Sequence, residues 1–423
     1  MRTGMRGTPV AVVAATVVAL TATTASPAQA QAPAPAVERV TLSAAGQQLS
    51  GASDGPRLSE NGRYAAFSSY AADVVPGDTN GQPDVFVRDL RRGTVERITV
   101  APDGTEADGA GQYVRISGDG RYVAFVSRAT NLVTWPAPQS SYSDVYVHDR
   151  RTGTTERVSV AADGGSGGAA ESVGVSDDGR YVGFTADAAR IEGGGTPQQI
   201  RAYVHDRRTG ETREVSDRLP GDWYVQSLLL SADGTHAAYI QRHPRGGRGE
   251  LWLADLRTGE QRRLNVTPEG EPGDGSPAGL TLAADGGTVA YTSFDEAVVP
   301  GAPAYTWESY LYDARTGTTG WITHEGAGGL GAPLLSADGR RLAYTHGTRL
   351  PGGETAENVY VRELDSGHTV RATESVAGGP LTEGYTAASG FARDGRVLAL
   401  FSSSSQLVDG DTNGEGDGFV ARP

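Results

Sequence analysis

The chain has 423 residues, 51 acidic against 37 basic side chains, a formal net charge of −14 and no cysteine. That balance makes nucleic acid and anionic membranes poor partners, and the missing cysteine excludes both disulfides and a lipidated cysteine anchor. Every basic residue is arginine, which excludes Schiff-base chemistry and a P-loop, since both need lysine.

Residues 1–30 read as a secretory signal peptide. Arg2 and Arg6 precede an apolar run at 10–20, and Ala28-Gln29-Ala30 offers a small-x-small cleavage site before Gln31. The run is too short to span a bilayer, and no later segment is apolar enough to do so. The expectation is therefore a protein exported to an extracytoplasmic space and cleaved after Ala30, without membrane insertion. An Ala/Pro-rich leader occupies 31–36, and 37–423 form one domain. Packing alone has to stabilise it.

The first predicted element is a strand in "VERVTLSAAG" (37–46), which matches "VERITVAPDG" (95–104) and "TERVSVAADG" (155–164). The string "GASDG" (51–55) follows. It fits a nucleophile motif, but that motif requires a strand–turn–helix context, and Ser53 lies in a connection leading into a strand. No nucleophile is assigned there.

From residue 59 a signature recurs seven times: "SENGRYAAF", "SGDGRYVAF", "SDDGRYVGF", "SADGTHAAY", "AADGGTVAY", "SADGRRLAY" and "ARDGRVLAL". Its glycines are Gly62, Gly120, Gly179, Gly234, Gly286, Gly339 and Gly395. Asn-Gly or Asp-Gly between apolar runs signals a tight hairpin. Four residues after each glycine stands a small residue (Ala66, Ala124, Gly183, Ala238, Ala290, Ala343, Ala399), followed by a large one (Phe67 through Leu400). Neighbouring strand residues face opposite sides, so each sheet has a flat face and a bulky face, and successive sheets can stack. A third strand ("DVFVRD", "DVYVHD", "AYVHD", "LWLAD", "NVYVRE") and a fourth complete each unit. Repeats of about this size imply a radial array. The predicted fold is all-β: a single seven-bladed β-propeller of four-stranded antiparallel blades. The seventh copy lacks a fourth strand, and residues 37–46 are expected to supply it beside 417–421, closing the ring.

The stretch "DTNGQPD" (78–84) places Asp78, Asn80 and Asp84 at spacings that suit calcium, and "DTNGEGD" repeats it as Asp411, Asn413 and Asp417. Its glycine and its twelfth position do not fit an EF-hand, and a side-chain-capped turn is the competing reading. Beyond calcium, no cofactor is called for. The pairs His148-Asp149 and His205-Asp206 occupy one repeat position and are read as turn-bonding residues.

Antiparallel order puts the tight 1–2 and 3–4 turns on one face of the ring and the long connections on the other, at 68–83, 128–143, 186–200, 241–249, 293–308, 346–357 and 402–416. Binding residues are expected on this loop face. The aromatic candidates are Trp135, Tyr142, Trp223, Tyr224, Tyr305 and Trp307, with gap-filling between blades as the competing reading. Arg242, Arg245 and Arg248 stand in one of these loops, where solvation is the plainer reading.

The pattern "LSADGRRLAYTH…NVYVRELDSG" resembles the TolB-type, WD-like β-propeller repeats of exported bacterial proteins, over essentially all of 37–423. The resemblance implies a propeller in the cell envelope or outside it. TolB's N-terminal α/β domain has no counterpart between Gln31 and the first strand. The expected function is a monomeric, non-catalytic binding or scaffold module whose partner is a protein or a glycan. The alternative is a secreted carbohydrate-active enzyme, a lyase or hydrolase, with metal and acidic groups gathered at the axis. The innermost strands offer Arg57 and Arg115 there instead.

Overall fold

A computed structural model describes residues 36–134, 142–194, 198–216, 222–273, 275–303, 306–322, 330–350 and 355–423. Seven antiparallel four-stranded sheets follow one another in chain order, which is the propeller that the TolB-type resemblance implies. In the first blade the strands are Arg57–Leu58, Tyr64–Ser69, Asp84–Asp89 and Thr94–Arg97. The seventh blade takes its outer strand from the start of the domain. Ala36–Arg39 pairs antiparallel with Asp417–Arg422, Val37 opposite Ala421 and Arg39 opposite Phe419. The ring closes where the repeat count said it would. Among the described residues no helix is long and apolar enough to cross a membrane.

The alternation of small and large residues sets how blades stack. Phe67 and Phe86, Phe125 and Tyr146, and Phe184 and Tyr203 stack in cross-strand pairs with centroids 5.7–5.8 Å apart. The second and third pairs pack on the flat face of the preceding blade: Ala66 clusters with Phe125 and Tyr146, and Ala124 with Phe184 and Tyr203. Burying one such ring stabilises by roughly 1.5–3 kcal/mol. Gly183 takes this logic to its limit, since a Cβ there would stand 2.7 Å from the Leu228 side chain of the fourth blade. The Asp-Gly turns lock neighbours as well. Gly179 has φ +69°, and a Cβ on it would meet the Tyr122 ring at 2.0 Å.

At the turn-face end of the axis, three blades are tied together. Glu60 of the first blade, Asp177 of the third and Arg393 of the seventh meet, with Arg393 Nη2 3.0 Å from Asp177 and also paired to Glu60. Gly118 of the second blade makes room, because a Cβ there would lie 2.6 Å from the Asp177 carboxyl carbon. Burial first, then the hydrogen bond and charge of Glu60, lift the Asp177 carboxyl to about 7. An acid with a raised folded-state pKa binds its proton more tightly folded than unfolded. Its contribution is therefore lost as pH rises from its unfolded value, about 3.9, through 7. The expected result is that thermal stability falls over pH 4–7 and that Asp177→Asn flattens this slope. Melting curves at half-unit pH steps check it, and equal slopes in the two proteins would refute the assignment.

Candidate functional site

The loop face opens onto two adjoining cavities. The larger, about 890 Å³, is lined by loop-face residues of the first four blades, among them Asn80, Gln82, Gln112, Tyr113, Tyr224 and Gln226. The smaller, about 430 Å³, is enclosed by the innermost strands of blades seven, one, two and three, and includes Asp54, Arg57, Tyr113, Arg115 and Tyr385. Tyr113 lines both. Each inner strand runs from the loop face toward its Asp-Gly turn. Tyr113 and Tyr385 therefore stand nearer the mouth, and Arg57 and Arg115, two residues before Ser59 and Ser117, nearer the floor.

Tyr113 adopts φ +55°, a left-handed conformation that costs a non-glycine residue of order 1–3 kcal/mol. It sits at a break in register between Gln112 and Arg115, a bulge that turns the inner strand. Beside it, Gln112 Nε2 donates to Tyr70 Oη at 2.8 Å. Strain of this kind at the wall of a cavity is a mark of a functional position.

Below it, Arg57 donates Nη1 to the Ser389 carbonyl and Arg115 donates Nη1 to Val114 O. Among the described residues neither guanidinium has a carboxylate within ion-pair distance. The acidic group nearest in effect is Asp54, which accepts a hydrogen bond from Ser68. Burial first, and the charge of Arg57 second, bring Arg115 down to about 9, which leaves it protonated at neutral pH. Among the described residues the cavity walls hold no histidine and two carboxylates, Asp54 and Asp108. Asp108 accepts from the Thr130 amide at 2.5 Å. Two separated, engaged carboxylates do not make a ligand set for a metal ion.

The candidate residues read from the sequence are spread round the ring. Tyr224 lines the larger cavity. Trp223 packs edge-on to His243 with centroids 5.9 Å apart. Trp307 packs edge-on to Phe294 in the fifth blade and is half exposed. The Arg190 guanidinium lies over the Tyr142 ring at 3.6 Å. Trp135 and Tyr305 lie outside the described residues. Tyr113 and Tyr385 were missed, because nothing in "GQYVRI" or "EGYTAA" distinguishes an axial tyrosine from a packed one. Arg242 reaches across to the Pro277 carbonyl at 2.8 Å, while Arg245 and Arg248 are exposed.

The paired "DTNG" loops have a definite structure. Asp78, Asp84 and Glu106 bring carboxylate oxygens within 4.8 Å of one another, close enough for a metal ion. The Arg97 guanidinium stands among them, with nitrogens 2.6 Å from Glu106, 3.3 Å from Asp84 and 3.9 Å from Asp78. Asn80 turns away: its Oδ1 accepts from the Gln82 amide, and its Nδ2 donates to Ala107 O at 2.8 Å. The last blade repeats the scheme, with Arg39 on Asp411 (2.9 Å) and Asp417 (3.3 Å) and Asn413 Nδ2 on Leu49 O (3.0 Å). Each loop thus fastens its blade to the connection entering the next. The same two strand positions pair as Asp144–Arg157 and Glu250–Arg263, and in the third blade with polarity reversed, as Arg201–Glu214. A position that tolerates charge reversal is serving as an ion pair between the outer strands. Burial pushes Asp84 up to about 6, offset by the Thr99 hydroxyl and Arg97.

His148 and His205 prove to be structural neighbours of the turn. Their Nδ1 atoms lie 2.9 and 2.8 Å from Thr155 and Thr212 hydroxyls, and Asp149 and Asp206 accept the amides of Arg151 and Arg208. Ser53 is buried and donates to Ser69 Oγ at 2.9 Å.

No protein-family model matches the chain, and no curated protein matches it in sequence. Solved structures do match in fold. An oligogalacturonate lyase in complex with manganese is similar over 91% of this chain and 92% of its own, at 14% identity and TM-score 0.59. The oligogalacturonate lyase from Vibrio parahaemolyticus is similar over 92% and 97%, at 13% identity and TM-score 0.56. The propeller domain of the Trilobed protease from Pyrococcus furiosus, described as having an open velcro topology, is similar over 85% and 96%, at 14% identity and TM-score 0.52. At such identities the likeness is one of fold.

Proposed function

We propose that this chain is an exported, non-catalytic propeller that binds a glycan in the loop-face funnel. The observation that carries this reading is the funnel itself. It is walled by Gln82, Gln112 and Gln226, the last two holding Tyr70 and Arg242 with one end of their amides, together with Tyr113 and Tyr224. Amides match sugar hydroxyls, and tyrosine offers a large rigid contact at little entropic cost. Beside it, the described residues supply no nucleophile–base pair and no metal ligand set at the axis. A protein partner is the other occupant in this class. The enzymatic alternative draws on the full-length likeness to two oligogalacturonate lyases, and it would need catalytic groups that the cavity walls do not offer.

A panel of neutral and acidic oligosaccharides titrated calorimetrically tests the reading. The expected result is saturable binding with unchanged sugars recovered afterwards, and about a tenfold loss of affinity in Tyr113→Ala, equivalent to roughly 1.4 kcal/mol. Cleaved products, with or without added manganese, would establish the enzyme instead. Absence of binding across the panel would end the glycan reading.

A further inference from the structure

We infer that Arg57 and Arg115 form a carboxylate-binding site at the floor of the funnel, so that the ligand carries an acidic group and enters with that group first. The inference rests on the glycan reading for the rest of the ligand, but the arginine pair takes a carboxylate whatever carries it.

Two guanidiniums face one cavity of about 430 Å³ from adjacent blades. Each spends one Nη1 proton on a backbone carbonyl, the Ser389 and Val114 oxygens. A guanidinium has five N–H donors in a fixed fork, so most of the pair's donors are left for an occupant of the cavity. Arg97, Arg157 and Arg263, by contrast, are each matched to an acid. Here two like charges line one cavity, and the charge of Arg57 adds to the burial that lowers Arg115. Such an arrangement is unfavourable to the empty fold, and an anion relieves it.

Charge and shape choose the anion. Arg57 and Arg115 against Asp54 leave a local charge of about +1, which a single carboxylate neutralises and a phosphate dianion exceeds. Planar forks suit planar carboxylates bidentately. Tyr113 and Tyr385 line the cavity on its mouth side, where a sugar ring attached to that carboxylate would lie. Glu357, whose charge is felt by Tyr385, marks the rim as a poor place for the acid itself.

The test uses the full chain with glucuronate, glucose, acetate and phosphate as probes, read by calorimetry and by thermal shift. Glucuronate is expected to bind at least tenfold more tightly than glucose, and acetate to protect against melting where phosphate at equal concentration does so less. In Arg115→Gln and Arg57→Gln the preference for glucuronate over glucose should disappear. Arg115→Gln should melt at the wild-type temperature or above, because it removes a repulsion; a merely structural arginine would lower it. Tyr113→Ala separates the two readings. About a tenfold weaker binding of glucose and glucuronate with acetate protection retained is the expected pattern. Retention of full sugar affinity in Tyr113→Ala would count against the funnel reading while leaving the arginine site standing. Equal affinity for glucuronate and glucose, tighter binding of phosphate than of carboxylates, or an unchanged preference in both glutamine variants would overturn the proposal.

Discussion

A chain beginning at residue 42 should be less stable than one beginning at residue 31 by at least about 5 kcal/mol, the sum of a lost strand, its buried apolar side chain and its charge-assisted contacts. The removed segment makes four antiparallel pairings with the seventh blade. Thr41 Oγ1 donates to Asp417 Oδ1 at 2.8 Å, and Arg39 lies 3.3 Å from the same fully buried carboxylate. Val40 is buried in the cluster that joins the seventh blade to the first. Backbone hydrogen bonds are worth roughly 0.5–1.5 kcal/mol each. Asp417 also loses the Thr41 hydroxyl and the Arg39 guanidinium, charge-assisted contacts worth roughly 1.5–3 kcal/mol. The exposed edge of Asp417–Arg422 also becomes a template for other strands, so the shortened chain should self-associate. A peptide of residues 36–48 added in trans should restore the lost stability by strand addition. Denaturant titration and sedimentation measure both effects. A midpoint within 1 kcal/mol of the longer chain, with no association, would show that the ring does not depend on this closure.

Arg97→Ala should cost about 3–5 kcal/mol at pH 8, the range for removing one partner of a buried ion pair. Arg97 and the carboxylates of Asp78 and Asp84 are all nearly inaccessible to solvent. Asp84 titrates near 6 in the folded protein because burial outweighs the stabilisation it receives. Its raised pKa means that folding binds a proton between its unfolded value and 6, so the carboxylate weakens the fold as pH rises through that window. Removing the guanidinium deepens this penalty, and the loss should be smaller at pH 5, where Asp84 is protonated, than at pH 8. The variant also bears on calcium. With the arginine gone, three carboxylates remain within 4.8 Å of one another, so millimolar calcium should raise the melting temperature of Arg97→Ala and leave the wild type unchanged. Calcium-induced heat and stabilisation in the wild type would instead assign the "DTNG" loops to metal. A loss in Arg97→Ala independent of pH and calcium would remove the ion-pair account.

The repeat order was legible because its signals are local. An Asp-Gly turn, the small residue four positions on, and the large residue beside it each act within one hairpin, and they recur often enough to be counted. The match of 37–46 to 95–104 carried the closure for the same reason, since a strand that repeats a fourth strand needs a third strand to pair with. The structural role of Asp149 and Asp206 was readable too, because a turn-bonding carboxylate acts two residues away.

The site was legible only in its pieces. Glu106 joins Asp78 and Asp84 through a connection between blades, and the spacing within "DTNGQPD" pointed to Asn80, whose amide serves its own turn and the neighbouring chain. The tryptophans drew attention by their size, whereas the tyrosine at the funnel, Tyr113, owes its place to a bulge and a left-handed backbone that no residue type announces.

By itself the sequence determined the number of blades, their strand order, the flat and bulky faces, and the strand that closes the ring. These follow from period-two alternation and from turns, which act over a few residues. The sequence put Arg57 and Arg115 on innermost strands, but only the tertiary structure decided that they share one cavity and that Glu60, Asp177 and Arg393 meet at another depth. These groups lie one or more repeats apart in the chain and meet because seven twisted sheets curve into a ring. Their mutual charge and shared burial exist only once that curvature is complete.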